Sequence, residues 1–137
     1  MNPSKLSVLP PELLSALEAQ PDLRLAVVFG SVARGQAGPE SDLDIAVLAD
    51  GPVDAPRREA LIRVLAQATG RPVDLVDLWS ADVLVSREAL GHGVVALNRD
   101  AAAYYHLLSK MVTDAEDFLP LYERLLRHRN EAWLRSS

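Results

Sequence analysis

The chain has 137 residues, of which 49% are hydrophobic and 24% charged, and its formal net charge is −5. This length and composition predict one folded domain and exclude both a disordered chain and two full-sized domains. The acidic balance argues against a nucleic-acid partner, because affinity for phosphate backbones comes chiefly from clustered Lys and Arg side chains. Since the sequence shows neither a membrane span nor a secretory leader, and contains no cysteine, we expect a cytoplasmic protein without disulfides.

The first half of the chain is predicted to form a helix, a strand, a loop and a second strand. Leucines at helical spacing follow Pro11, and Pro21 ends that helix. Two runs rich in branched apolar residues are too short for secure helices and are predicted as buried strands. The predicted ranges are 10–20 for the helix, 23–29 and 42–48 for the strands, and 31–41 for the loop, with a short helical turn near 32–34.

The second half of the chain alternates helices with strands. A helical stripe begins near Pro56 and ends at Gly70, and the run VDLVDLW after Pro72 is predicted as the third strand. Because this helix connects the second and third strands, we expect those strands to be parallel. The remaining predictions are a helix over 81–90 capped by Ser80 and ended by Gly91, an edge strand over 94–97, a helix from about 100, and a last helix over about 114–134 that opens with a capping box at Thr113.

The order of these elements predicts the fold class. We expect an α/β (α+β) protein in which helices pack on a small mixed β-sheet. The whole chain, residues 1–137, is predicted to be a single domain, with a helical extension over about 100–137.

The most informative stretch lies between the first two strands. A strand that ends in Gly30-Ser31 lets the backbone approach a ligand closely, and the N–H groups that follow, the Ser31 hydroxyl and Arg34 can bind phosphate oxygens. Asp42 and Asp44 are two residues apart, so on a strand they share a face, with about 6 to 7 Å between their Cα atoms. Either they face water on an exposed turn, or a cation relieves their repulsion, and we favour a divalent metal ion.

The available ligands decide which metal this would be. Cysteine is absent, and none of the three histidines lies at a metal-ligand spacing from another. Carboxylate oxygens select hard cations. The sequence therefore predicts Mg²⁺ or Mn²⁺ rather than Zn²⁺.

The spacing of these residues resembles a known signature. Gly30-Ser31, ten further residues and then Asp42-x-Asp44, flanked by apolar strands and containing Ala33-Arg34-Gly35, resemble the motif of the DNA polymerase β nucleotidyltransferase superfamily. More narrowly, the chain resembles the minimal nucleotidyltransferases of the MNT type, which include MntA-like antitoxins. The motif covers about fifteen residues, and the order of elements fits this family over roughly the first hundred.

The resemblance implies a third carboxylate on the third strand, where the sequence offers Asp74 and Asp77. Residues three apart on a strand point to opposite faces, so only one of them can join the site. Parallel strands have their starting ends at the same level, and Asp74, like Asp42 and Asp44, lies at the start of its strand. We therefore prefer Asp74 and keep Asp77 as the alternative, with a structural role at the turn into Trp79 as its other explanation.

The resemblance also implies a mechanism. ATP would bind to Gly30, Ser31, Arg34 and Ser41, and two Mg²⁺ ions would bind to Asp42, Asp44 and Asp74. Asp74 would act as general base, so that an acceptor hydroxyl attacks the α-phosphorus and pyrophosphate leaves. In the MNT type the acceptor is a tyrosine of a HEPN-family toxin, an RNase that AMPylation silences. The implied protein is thus an antitoxin enzyme that forms a hetero-oligomer with its toxin.

Two other functions are compatible with the sequence. The nucleotide could be transferred to a small hydroxyl compound such as an aminoglycoside, although the short chain leaves little room for a separate acceptor-binding domain. Alternatively, the protein could neutralise a toxin by contact alone. The Gly-Ser pair and the three carboxylate positions argue against that, because contact alone does not require them.

Overall fold

Four β-strands form one mixed sheet in the order β3-β2-β1-β4. The structure is a computed structural model, and it describes residues 9–81 and 83–113. The strands are β1 (Leu23–Phe29), β2 (Leu43–Ala49), β3 (Val73–Asp77) and β4 (Val94–Asn98). The helices in the described part of the chain are α1 (Pro11–Glu18), α2 (Gly30–Ala33), α3 (Ala55–Thr69), α4 (Val83–His92) and α5 (Ala101–Thr113).

The strand directions follow from the connections. β1 is antiparallel to both β2 and β4, whereas β2 and β3 are parallel. The 15-residue helix α3 joins β2 to β3, and a crossover of this kind is what a parallel pair needs. The predicted mixed sheet, the parallel pair and the short edge strand β4 are all confirmed. The register pairs Phe29 with Asp44 and Asp44 with Asp74. The end of β1 therefore lies beside the beginning of β2, which in turn lies beside the beginning of β3.

The two central strands are buried on both faces. Ala26, Val28 and Ile45 belong to the main apolar core together with Leu13 and Leu17 of α1 and Leu61 and Leu65 of α3. Side chains alternate between faces along a strand, so Asp44, Val27 and Asp74 point to the other face. There Gly93, directly after α4, lies against Val27. The carboxylates therefore project from the face of the sheet that α4 adjoins.

Both ends of α3 are capped, and the sequence predicted the cap at Gly70. The Asp54 side chain accepts a hydrogen bond from the Arg57 N–H, at 2.9 Å, and satisfies one of the free donors of the first turn. Gly70 follows the helix in the left-handed conformation, with φ +67°, which an L-residue with a side chain adopts only at a cost. The predicted stop at Gly70 is confirmed.

The predicted ends of α4 were wrong. The helix begins at Val83, three residues beyond the expected Ser80 cap, and Gly91 lies inside it. The Ser80 N–H instead donates to the Asp77 carbonyl in the turn after β3. The chain leaves the helix at Gly93, where an added Cβ would lie 2.2 Å from the Ala89 carbonyl oxygen and 2.3 Å from Val27 Cγ1. Tertiary packing, rather than the first available glycine, determines where α4 ends.

The chain divides into two compact units, Met1–Ala101 and Ala102–Ser137. The sheet lies in the first unit, and most of α5 lies in the second. The last predicted helix, over about 114–134, falls outside the described residues, so it stays a prediction, as does the single domain over 1–137. Within residues 9–81 and 83–113 no helix has the length and apolar character needed to cross a bilayer.

Candidate active site

Three carboxylates and a glycine turn meet at one end of the sheet. Gly30 follows the last residue of β1, Asp42 immediately precedes β2, and Asp44 is the second residue of β2. Asp74, the second residue of β3, lies directly opposite Asp44 across the parallel pair. Residues from three separate segments of the sequence are thus brought to one edge.

Gly30 is in van der Waals range of the Asp44 carboxylate. Its φ is +71°, in the left-handed region, and an added Cβ would lie 2.2 Å from Asp44 Oδ2. No side chain can occupy that position unless the carboxylate moves. The turn at the end of β1 and the carboxylate at the start of β2 therefore form one packed unit.

Asp44 lies at the electrostatic centre of this cluster. Burial raises its pKa above the usual value, and the negative charges of Asp74 and Asp42 raise it further, while the guanidinium of Arg34 opposes them. Asp44 is therefore close enough to Asp42 and Asp74 to be repelled by their charges, and close enough to Arg34 to be stabilised by its charge. A group of like charges at the end of a buried strand is stabilised when a cation binds.

The donor chemistry of the cluster fits a hard divalent cation. Within the part of the chain that the structure describes, no three acidic or histidine side chains converge into a ready-made metal cage. Mg²⁺ seldom requires one, because it binds one or two carboxylates, substrate phosphates and water. The residues present therefore fit a cation that arrives with a nucleotide, and the roles of Asp42, Asp44 and Asp74 as ligands stay a prediction.

Asp77, the alternative third carboxylate, is used elsewhere. It lies at the far end of β3, is only 8% exposed, and pairs in register with Val47. Its Oδ2 accepts a hydrogen bond from the Val53 N–H at 2.9 Å, and its Oδ1 accepts one from the Trp79 N–H at 3.0 Å. Asp77 holds two backbone segments together at the opposite end of β3 from the carboxylate cluster.

The remaining predicted residues lie on the turn and loop beside the cluster. Ser31 is in the short helix α2, and Arg34, directly after it, is exposed. The Ser41 hydroxyl accepts a hydrogen bond from the Gly38 N–H at 2.9 Å and so closes the loop on itself. It retains its own O–H donor. These positions allow the predicted contacts with ATP but do not test them.

Arg71 is a residue that the sequence analysis missed. Its Nη1 donates to the carbonyl oxygens of Gly38 and Ser41, at 2.6 and 3.0 Å, across a gap of about thirty residues. The available signal was an arginine between the end of a helix, at Gly70, and a strand that carries a candidate ligand. Only the fold reveals which loop this arginine contacts.

The comparison with protein families gives a match over most of the first unit. Residues 12–102 match the family described as polymerase beta, nucleotidyltransferase. The protein adenylyltransferase MntA of Shewanella oneidensis (strain MR-1) is 41% identical over 73 residues, which are 53% of this chain. Those residues are 52% of MntA, so the match spans about half the length of this curated relative.

Solved structures match over nearly the whole chain. A chain of a toxin–antitoxin complex with AMP-PNP is 28% identical with a TM-score of 0.65, and the match covers 91% of this chain and 95% of that one. Another chain, from the complex of a tri-AMPylated Shewanella oneidensis HEPN toxin with an MNT antitoxin, is 26% identical with a TM-score of 0.58. That match covers 99% of this chain and 98% of that one.

Proposed function

This chain belongs to the polymerase β nucleotidyltransferase family, and from that premise we propose that it transfers AMP from ATP to a protein hydroxyl group. The observation that carries the proposal is the pairing of Asp44 with Asp74 beside Gly30, inside the segment that matches the family. The likeness to a protein adenylyltransferase supports AMP as the transferred group.

The residues of the site have distinct tasks in this reaction. Gly30 admits the triphosphate to the end of β1, and Ser31, Ser41 and Arg34 bind its oxygens. Asp42 and Asp44, with Asp74 as a third ligand, would hold Mg²⁺, two ions in the full site. When bound, Mg²⁺ neutralises the phosphates and lowers the pKa of the acceptor hydroxyl.

Asp74 supplies the acid–base chemistry. Its exposed carboxylate accepts the proton of the acceptor hydroxyl. The hydroxyl oxygen then forms a bond to the α-phosphorus, and the bond from that phosphorus to the pyrophosphate oxygen breaks. The products are an AMP ester and pyrophosphate.

The acceptor in this proposal is a tyrosine of a HEPN-type toxin, and the protein acts in the cytoplasm as the antitoxin of that toxin. Similar chains occur in toxin–antitoxin complexes, one of them with a tri-AMPylated HEPN toxin. These matches cover the lengths of both chains, which supports the same partner class here.

Labelled ATP tests this proposal. The chain is incubated with α-³²P-ATP, Mg²⁺ and the protein product of the adjacent reading frame, in parallel with kanamycin as a small hydroxyl acceptor. We expect label on the partner and none with the Asp42→Asn/Asp44→Asn double variant. Label on kanamycin alone would favour a transferase that acts on small molecules. If the double variant transfers no label but still neutralises the toxin fully, neutralisation by contact alone is favoured.

Variants of Asp74 and Asp77 test which of the two residues is the third carboxylate of the site. Asp74→Asn should reduce transfer at least about a hundredfold, since general base catalysis contributes on that order, with little change in melting temperature. Asp77→Asn should destabilise the fold by about 1 to 3 kcal/mol, because it places an amide N–H₂ against the partly buried N–H donors of Val53 and Trp79. Transfer by its folded fraction should persist. If Asp77→Asn loses transfer without unfolding and Asp74→Asn keeps it, Asp77 is the third carboxylate.

A further inference from the structure

The backbone on both sides of Asp42 is fastened to one short segment, Arg71-Pro72. On the N-terminal side, the Ser41 carbonyl accepts a hydrogen bond from Arg71 Nη1, at 3.0 Å. On the C-terminal side, the Leu43 N–H donates to the Pro72 carbonyl, at 2.8 Å. Asp42 therefore lies between two anchors that come from the turn preceding β3.

Hydrogen bonds from Arg71 hold the loop before Asp42. Residues 38–40 are exposed and have no regular secondary structure. Within the loop, the Gly38 N–H donates to the Ser41 hydroxyl oxygen, and the Ser41 N–H donates to the Gly38 carbonyl oxygen. The same Arg71 Nη1 that binds Ser41 also binds the Gly38 carbonyl, at 2.6 Å. The guanidinium thus joins both ends of this small turn to the rest of the fold.

We propose that Arg71 is a positioning residue that sets Asp42 at the correct distance from Asp44 and Asp74. Arg71 and Asp74 lie three residues apart, so the segment that holds the backbone beside Asp42 leads directly into the strand that carries Asp74. This inference rests on the proposed function, since it assigns Arg71 a role in building the cation and nucleotide site. Arg71 acts through the backbone of Ser41 and is not itself a catalytic residue.

An arginine suits this task for a chemical reason. One Nη1 carries two N–H groups, which allows one donor for each carbonyl, and a charged donor gives stronger hydrogen bonds than a neutral one. Lysine can supply charged donors but on a differently shaped side chain. Methionine keeps much of the apolar stem and supplies no donor. Arg71→Lys should therefore keep part of the positioning function, and Arg71→Met should keep none of it.

The test measures metal binding directly. Mn²⁺ affinity is determined by electron paramagnetic resonance on the full chain with α,β-methylene-ATP present, and AMP transfer is measured separately. We expect Arg71→Met to weaken Mn²⁺ binding about tenfold, the lower end of the effect of removing a residue that orients metal ligands. Arg71→Lys should recover part of that loss, and hydrogen exchange of the 36–43 segment should rise in Arg71→Met.

Arg99→Met is the matched control. Arg99 Nη1 also donates to two backbone carbonyls, those of Gln20 and Leu23, but at the beginning of β1. Leu23 and Phe29 are at opposite ends of that strand, about 20 Å apart. Arg99→Met should therefore bind Mn²⁺ as the unmodified protein does, even if its melting temperature falls.

The outcomes separate this inference from the proposed function. Unchanged Mn²⁺ affinity in Arg71→Met overturns the positioning role, and so does an equal loss in Arg99→Met. If the unmodified protein binds Mn²⁺ but labels no acceptor, the proposed function fails while the affinity comparison still decides the role of Arg71. If the unmodified protein binds no Mn²⁺ with the analogue, both fail.

Discussion

Gly30 meets two independent requirements at the end of β1. Its backbone has a positive φ, and its Cα lies so close to the Asp44 carboxylate that an added Cβ would force that carboxylate to move. The first requirement is a matter of local conformation, and the second depends on a residue fourteen positions away. Both must be satisfied for the turn and the carboxylate to keep their places.

Two glycine variants distinguish these requirements. Gly30→Ala should reduce AMP transfer at least about a hundredfold, because displacing a group at the reaction centre by an ångström has an effect of this size. Gly70→Ala shares the left-handed φ, at +67°, but has no atom within 4 Å of its added Cβ. It should lose about 1 to 2 kcal/mol of stability and keep its activity. Equal transfer rates in the two folded variants would contradict the close approach to Asp44.

At the scale of elements, α3 is fastened to the segment that leads into β1. Arg57 in the first turn of α3 donates to both carboxylate oxygens of Asp22, at 2.9 and 2.5 Å, and to the Gln20 side-chain oxygen. This bidentate pair lowers the pKa of Asp22, chiefly through its hydrogen bond with Arg57. The connection fixes the start of the crossover helix relative to the segment that leads into β1.

The pair predicts a pH dependence of stability. Because the folded-state pKa of Asp22 lies below its ordinary value of 3.8, its stabilising effect is present above that value and is lost as the pH falls through the folded-state pKa. Asp22→Asn should therefore cost about 1 kcal/mol at pH 7, a modest figure because a third of each side chain is exposed. Its melting temperature should approach that of the unmodified protein in acid.

Asp50→Asn is the control for this measurement. Asp50 pairs with Arg24, but its side chain is 67% exposed, and exposed ion pairs contribute little. Its melting temperature should stay close to that of the unmodified protein at pH 7. If the melting temperature of Asp22→Asn stays equally far below that of the unmodified protein at low pH, the ion pair is not the cause of the difference.

At the scale of the whole molecule, the core and the candidate site lie in the same compact unit. The main apolar core runs from Leu9 to Leu97, and the carboxylates, the glycine turn and Arg71 lie within this range. The first compact unit ends at Ala101. Among the described residues, the main apolar core that packs beside the site thus belongs to the first unit.

Truncation tests this division. A chain that ends at Ala101 should unfold cooperatively on heating and should still bind Mn²⁺ with α,β-methylene-ATP. A chain that ends at Ala81 should not fold, because it lacks α4 and also β4, which pairs with β1. Circular dichroism during heating measures both. Non-cooperative unfolding of the longer fragment would indicate that residues 102–137 are required for the fold of the first unit.

The limits of prediction from sequence show most clearly at α4 and Arg71. Short apolar runs located every described strand within one or two residues at each end, because a buried strand is a short apolar segment bounded by turn residues. The start and end of α4 were misplaced because Ser80 is held by Asp77 and because the packing of Gly93 against Val27 ends the helix. No local pattern encodes such contacts.

The sequence by itself determined the family resemblance, the parallel pair and the spacing that puts Asp42 and Asp44 at one end of a strand. These features depend on residue order and on the geometry of single elements. Only the tertiary structure decided that Asp74 lies opposite Asp44, that Asp77 holds the Val53 and Trp79 backbone, and that Arg71 binds the loop before Asp42. Each of these rests on how segments pack across the fold, because register and hydrogen-bond partners are set by the whole core.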